Sequence, residues 1–351
     1  MSERKQLVFD GHNDVLSGLY RSRHSSPVQS FIEGQAGEID LPGCKEGGFV
    51  GGLFAIFAPS NIDLNGKNRK LDNSNYEFPL PKPLISSVAA DIALQQFLIL
   101  KELEQHKVLK ICKSTEQIRS TIENGALAAV AHMEGADPID PDLHNLDIFF
   151  DAGLRSIGPV WSRNNIFGNG VPFKFPSNAD YGDGLTDLGK KLVKRCHELG
   201  ILIDVSHMNY ACFWDIVRYF DQPIIATHSN AHAICPHSRN LDDRQLDAVA
   251  ESGGLVGLNF ASAYLRDDGK MSPDVEIELV FRHLIYLIDK LGENSVAIGS
   301  DYDGAVIPKC LSPVKNLQVI VETMRKNNFG EELIKKICMS NWINIFEKIW
   351  K

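Results

Sequence analysis

The chain has no CxxC pair, no long basic block and no apolar stretch long enough to span a bilayer. Its seven cysteines are scattered and odd in number, which argues against both a disulfide framework and a cysteine zinc site, and they are expected to stay reduced and buried. A formal net charge of -9 without clustered lysine and arginine leaves no footprint for a phosphate backbone, so nucleic acid is not an expected partner. The opening MSERKQLVFD passes from charged residues straight into a strand-like run and lacks the apolar core of a signal peptide, so the expectation is a cytoplasmic, untethered protein with no membrane partner.

What is present is ordinary globular material, 44% hydrophobic and 23% charged. A length of 351 residues suits one α/β barrel with insertions, or two domains. With no internal repeat, low-complexity tract or linker, a single domain over residues 1–351 is expected.

From residue 126 onward, short apolar runs alternate with longer stretches of helical period, the pattern of parallel strands joined by helical crossovers. Runs at 7–10, 49–57, 126–132, 154–160, 201–206, 223–227, 254–260 and 295–300 read as strands, and eight fit a closed (β/α)8 TIM barrel. Helices are expected at 83–106, 115–124, 142–152, 185–199, 210–220, 242–252, 273–291 and 315–327, with two more at the C-terminus. The stretches 58–82 and 161–184, rich in Asn, Asp, Gly and Pro, break the alternation and read as long loops of the kind that build an active face.

The runs end in metal donors. His12 and Asp14 follow LVFDG, and residues two apart on an extended segment face the same side. Glu134 lies just past AAVAH, His207 closes ILIDVS, and His228 closes PIIAT one βαβ step later, on a neighbouring strand about 4.8 Å away. Asp301 ends VAIGS on the last strand, which barrel closure brings beside the first. A strand-end His or Asp is more often a loop anchor, but six donors at one face point to a metal centre.

The motifs DGHND, MEG, DVSH, THS and GSDYDG resemble those of the membrane dipeptidase family within the amidohydrolase superfamily, and the resemblance covers nearly the whole chain. It implies a metallo-dependent hydrolase of dipeptides, including L-Xaa-D-Xaa, that carries two zinc ions. Glu134 would bridge the ions, with His12 and Asp14 on one and His207 and His228 on the other. Asp301 would meet the substrate as general base, taking a proton from a hydroxide-forming water between the metals and returning it to the leaving amine. The SRN segment implies that Arg239 holds the substrate carboxylate, a task suited to the planar guanidinium fork. His232 and His237 stay outside the metal site, and Asp303 reads as a loop-bracing carboxylate.

One departure stands out: where the family pattern has a carbonyl-polarising histidine, this chain has Trp161. Trp161 could contact substrate or simply pack as an aromatic wall, Arg163 or Asn164 could reach in, and His132 shares the strand face of Glu134 as a substitute imidazole. The alternatives to a dipeptidase are a superfamily hydrolase of a non-peptide amide or lactone, and a metal-binding barrel without turnover. A phosphate-binding barrel is disfavoured by the carboxylates of GSDYDG. A homodimer is left open.

Overall fold

Eight short runs, mostly apolar and largely buried on both faces, become strands, as parallel strands covered by crossover helices do. They are β1 (Val8–Asn13), β2 (Phe49–Phe57), β3 (Leu127–Glu134) and β4 (Leu154–Gly158), then β5 (Leu202–Ile203), β6 (Ile225–Ser229), β7 (Leu255–Leu258) and β8 (Val296–Ile298). The computed structural model describes residues 5–22, 26–60 and 75–350.

Consecutive strands pair in parallel from β1 to β5 and again from β6 to β8. Two looser joints complete the circle. Asp204, just past β5, bridges to Ile225 of β6, and Val205 N–H donates to Ile225 O at 2.8 Å. Asn13 of β1 bridges to Tyr302 past β8, and Asp301 N–H donates to His12 O at 3.0 Å. The result is the expected (β/α)8 barrel.

The crossover helices start where side chains cap their free N–H groups. Thr186 accepts from Gly189 N–H at the head of Asp187–Leu199, and Asp242 and Gln245 form a capping box on Asp243–Glu251. The N-terminal mouth is plugged by the helix Asn341–Ile349, whose Trp342 and Phe346 pack with Phe9, Leu53, Val130 and Leu255. Trp342 Nε1–H donates to Ile298 O at 2.9 Å. Gly11 is required there, since a Cβ would stand 2.2 Å from the Trp342 ring.

Each expected strand and helix is found, with shifted ends. β3 runs on to include Glu134, so this carboxylate belongs to the strand, and β5 is regular for only two residues. Not anticipated were the seven-residue helices Val15–Arg21, Pro27–Glu33 and Leu41–Gly47, and the strand Leu109–Ile111 beside the start of β3. The stretch 161–184 contains Phe173–Phe175, which pairs antiparallel with Tyr76–Phe78. Of the loop expected at 58–82, residues 61–74 lie outside the described residues. No helix among the described residues is long and apolar enough to cross a membrane.

Candidate metal centre and substrate cavity

The C-terminal ends of the strands bring the donors together. Glu134 Oε1 lies 3.0 Å from His207 Nε2 and 3.6 Å from both His12 Nε2 and His228 Nε2. His12 Nε2 is 3.4 Å from Asp14 Oδ2, and His207 Nε2 is 3.0 Å from His228 Nε2. Bonds of about 2.0–2.1 Å in a tetrahedron give ligand–ligand edges of roughly 3.3–3.4 Å, so these separations fit metal coordination. Among the described residues, His12, Asp14 and Asp301 form one such group, and Glu134, His207 and His228 another. Both ring nitrogens of buried His12 are without a hydrogen-bond partner, which fits an imidazole that ligates a metal.

Local backbone aims these side chains. Asp14 is the N-cap of Val15–Arg21 rather than a strand residue, yet its carboxylate converges on His12. His207 lies four residues beyond the end of β5, at φ +68°, and Asp301 sits at φ +62°. Such left-handed shapes are costly for non-glycine residues and cluster at functional sites. Gly304 keeps the floor open, because a Cβ there would stand 2.1 Å from Asp14 Oδ2 and 2.6 Å from Asp301 Oδ1.

A second set of contacts orients the imidazoles. Thr227 Oγ1 donates to Asp204 Oδ2 at 2.6 Å and lies 2.8 Å from His228 Nδ1. The carboxylate can only accept, so the hydroxyl proton points to Asp204 and its oxygen is left to accept from His228 Nδ1–H. That tautomer presents the Nε2 lone pair to the centre. Ser162 Oγ sits 2.9 Å from His207 Nδ1 in the corresponding position.

The electrostatics call for positive charge. Burial works against a charged His12, but Glu134 and Asp14 outweigh it and push its pKa up to about 10. Burial, reinforced by Asp14, drives Glu134 well above the carboxylate range. His207 and His228 are held well below the usual imidazole value by burial and by the nearby cations, which keeps their lone pairs free. Asp301 is raised to about 6, chiefly by burial, while Asn259 Nδ2–H holds its Oδ2 at 2.9 Å.

Beside the donors lies a cavity of about 320 Å³ lined by Glu134, His207, Asp301, Trp161, Phe173 and Tyr264, among others. Trp161 is a wall of this cavity, its ring 4.9 Å from Phe57, 5.5 Å from Phe173 and 5.8 Å from His207. The suggestion that Arg163 or Asn164 reaches in is corrected. Arg163 is buried and spent on Asp137, Ser60 and Ala58 O, and Asn164 accepts from Gly170 N–H. His132 also falls short as a substitute imidazole: it stacks edge-on behind His12 and bonds Ser156 Oγ at 2.8 Å.

Arg239 is buried with its guanidinium 5.5 Å from the Tyr264 ring, Nη2–H donating to His228 O and Nε unpartnered. No carboxylate among the described residues forms an ion pair with it. His232 turns to Ser177 O and His237 packs under Tyr264, both outside the donor groups. A further acidic group, Asp140, Asp142 and His144, is exposed, and Asp140 is occupied by the backbone N–H groups of residues 142, 144 and 145.

The reading of the sequence missed Asp204, Thr227, Ser162 and Asn259. Two of them had left a signal: Asp204 interrupts an apolar strand run and Asn259 closes one, and a polar residue buried in a strand needs a partner. The hydroxyls carried none.

The family model of the membrane dipeptidases (peptidase family M19) matches residues 3–351. A metallo peptidase from Rhodobacter sphaeroides, solved with a phosphinate mimic of the dipeptide L-Ala-D-Ala, superposes with a TM-score of 0.96 at 43% identity, covering 99% of this chain and 100% of that one. An Acinetobacter calcoaceticus protein described as "Uncharacterized protein in PQQ-III 3'region" is 44% identical over 83% of this chain and 92% of its own length. A probable dipeptidase of Pseudomonas aeruginosa shares the fold at 20% identity, with a TM-score of 0.82 over 98% of this chain and 95% of the other. Donor groups at the strand ends and a family match over nearly the whole length agree: the chain belongs to the membrane dipeptidase family and is by class a metallodipeptidase.

Proposed function

We propose that the chain is a dinuclear zinc dipeptidase built as one barrel domain over residues 1–351. Glu134 would be shared between the two ions, with His12 and Asp14 as further ligands of one and His207 and His228 of the other. The observation that carries this reading is the single Glu134 oxygen lying 3.0–3.6 Å from three imidazole nitrogens. Nitrogen and carboxylate donors at tetrahedral spacing suit zinc. Two divalent ions held there would supply Lewis acidity and lower the pKa of the attacking water.

Asp301 takes the proton of that water and returns it to the leaving amine. Asn259 fixes one of its oxygens and leaves the other for transfer, and a carboxylate held ionised beside a divalent ion is ready to accept the proton. Arg239 donates its guanidinium N–H groups to the C-terminal carboxylate of the dipeptide, its Nε–H being otherwise unpartnered. Trp161, with Phe57 and Phe173, walls the side-chain space. The phosphinate dipeptide mimic bound by the Rhodobacter relative supports L-Xaa-D-Xaa substrates, since a tetrahedral phosphorus stands in for the hydrated peptide carbon. Seven unpaired cysteines support a reducing, cytoplasmic setting. The second reading, hydrolysis of a non-peptide amide or lactone, is favoured by one observation, the indole at position 161 where an imidazole would polarise a peptide carbonyl.

The test joins metal content to a small dipeptide panel that includes Xaa-D-Xaa members, before and after chelation. Two zinc per chain with chelator-sensitive cleavage is the expected result. Two zinc without dipeptide cleavage would move the assignment to another amide or a lactone.

A further inference from the structure

The loop after β8 carries the proposed base in an uncommon backbone shape. Asp301 and Asp303 both sit at positive φ, +62° and +65°. Neither is glycine, and such a conformation persists only where the surroundings over-determine it. On one side β1 supplies the restraint: Asp301 N–H donates to His12 O at 3.0 Å, and Asp14 N–H to Tyr302 O at 2.8 Å.

On the other side the restraint comes from Glu38, in the link between Pro27–Glu33 and Leu41–Gly47. Asp303 Oδ1 accepts from Glu38 N–H at 2.6 Å, and Oδ2 accepts from Ile39 N–H at 3.2 Å. In return Glu38 Oε2 accepts from Asp303 N–H at 2.8 Å, while Oε1 accepts from the Ser312 hydroxyl at 2.7 Å. Each side chain therefore caps the backbone of the other, as in a capping box but across 265 residues. Gly37 makes room, because a Cβ there would stand 1.9 Å from Asp303 Oδ1. Neither Glu38 nor Asp303 lines the substrate cavity.

We propose that Glu38 and Asp303 form a reciprocal clamp that positions the Asp301 carboxylate for proton transfer. They are positioning residues, and their role rests on Asp301 being the base. Three of the clamp's bonds run from backbone N–H groups to the two side chains, and together they fix the backbone of the turn from both sides. Transfer requires the donor and acceptor atoms to stand roughly 2.6–3.2 Å apart, and a displacement of about 1 Å can cost on the order of 100-fold in rate.

Asp303→Gly separates strain from clamping, since glycine adopts the left-handed backbone freely but offers no acceptor. The expected result is a kcat lower by about 10- to 100-fold, with KM within about twofold and metal content unchanged. Glu38→Ala and Gly37→Ala, which attack the clamp from the other side, should do the same. Glu38→Gln should retain most turnover, because its amide oxygen still accepts from Asp303 N–H and Ser312 can turn its hydroxyl to accept from the new amine. Asp301→Asn on the same protein separates the two readings. If it abolishes turnover while Asp303→Gly and Glu38→Ala leave kcat intact, the clamp is wrong and the base stands. If Asp301→Asn itself keeps turnover, the base assignment falls and takes the clamp with it. Loss of metal in step with kcat would also overturn the proposal, making the pair a brace for the metal centre.

Discussion

Arg239 is a buried cation that feels Glu134 and Asp301 from a distance but forms no ion pair with any described carboxylate, and its Nε–H has no partner. In the proposed reading a substrate carboxylate would take the guanidinium N–H groups in charge-assisted hydrogen bonds worth about 1.5–3 kcal/mol. Arg239→Ala is therefore expected to raise KM for free dipeptides by about 10- to 100-fold while changing it far less for C-terminally amidated ones. Comparing both substrates on the same variant controls for the lost bond to His228 O. Equal losses on the two would remove the carboxylate-binding role from Arg239. At this scale the sequence was informative wherever a charged or chelating side chain closed an apolar run, as with His228 and Asp301. It singled out Trp161 but left substrate contact and wall packing open, because the ring's place beside Phe57 depends on a residue about a hundred positions away in the chain.

Strands place these residues in pairs. Just past β5, the bridge from Asp204 to Ile225 of β6 brings Asp204 beside Thr227 and sets the His228 tautomer. If the chain of donors is correct, Thr227→Val leaves His228 Nδ1–H without an acceptor and weakens binding of one ion by about 10- to 100-fold, the usual effect of removing such an outer partner. Thr227→Ser should retain the affinity. Chelator competition with both variants measures this, and unchanged affinity in Thr227→Val would exclude the relay. The eight strands were readable as apolar runs, but the three helices between residues 14 and 48 were not. Each is seven residues long, two carry internal glycine and two begin at or just before proline, so hydrophobic period has too few turns to register. Asp204 and Thr227 likewise became a unit only through pairing between strands.

Across the whole molecule, the two ends of the barrel divide the work. Chelating and charged side chains gather at the C-terminal mouth, while the N-terminal mouth is closed by apolar ones from the last helix. Trp342 is fully buried there, bonded to Ile298 O and pressed against Gly11, one residue before the donor His12. The plug thus braces β1, which carries His12, and β8, which leads into the loop of Asp301, from the side opposite the chemistry. Trp342→Ala removes a large buried aromatic and leaves a cavity, at a cost of about 3–5 kcal/mol. The expected outcome is a lower denaturation midpoint, measured by chemical unfolding, with kcat and metal content of the folded protein near those of the parent. A loss of metal at temperatures where the variant remains folded would show instead that the plug also sets the geometry of the metal centre, because β1 would then transmit the slack at Gly11 to His12 one residue on.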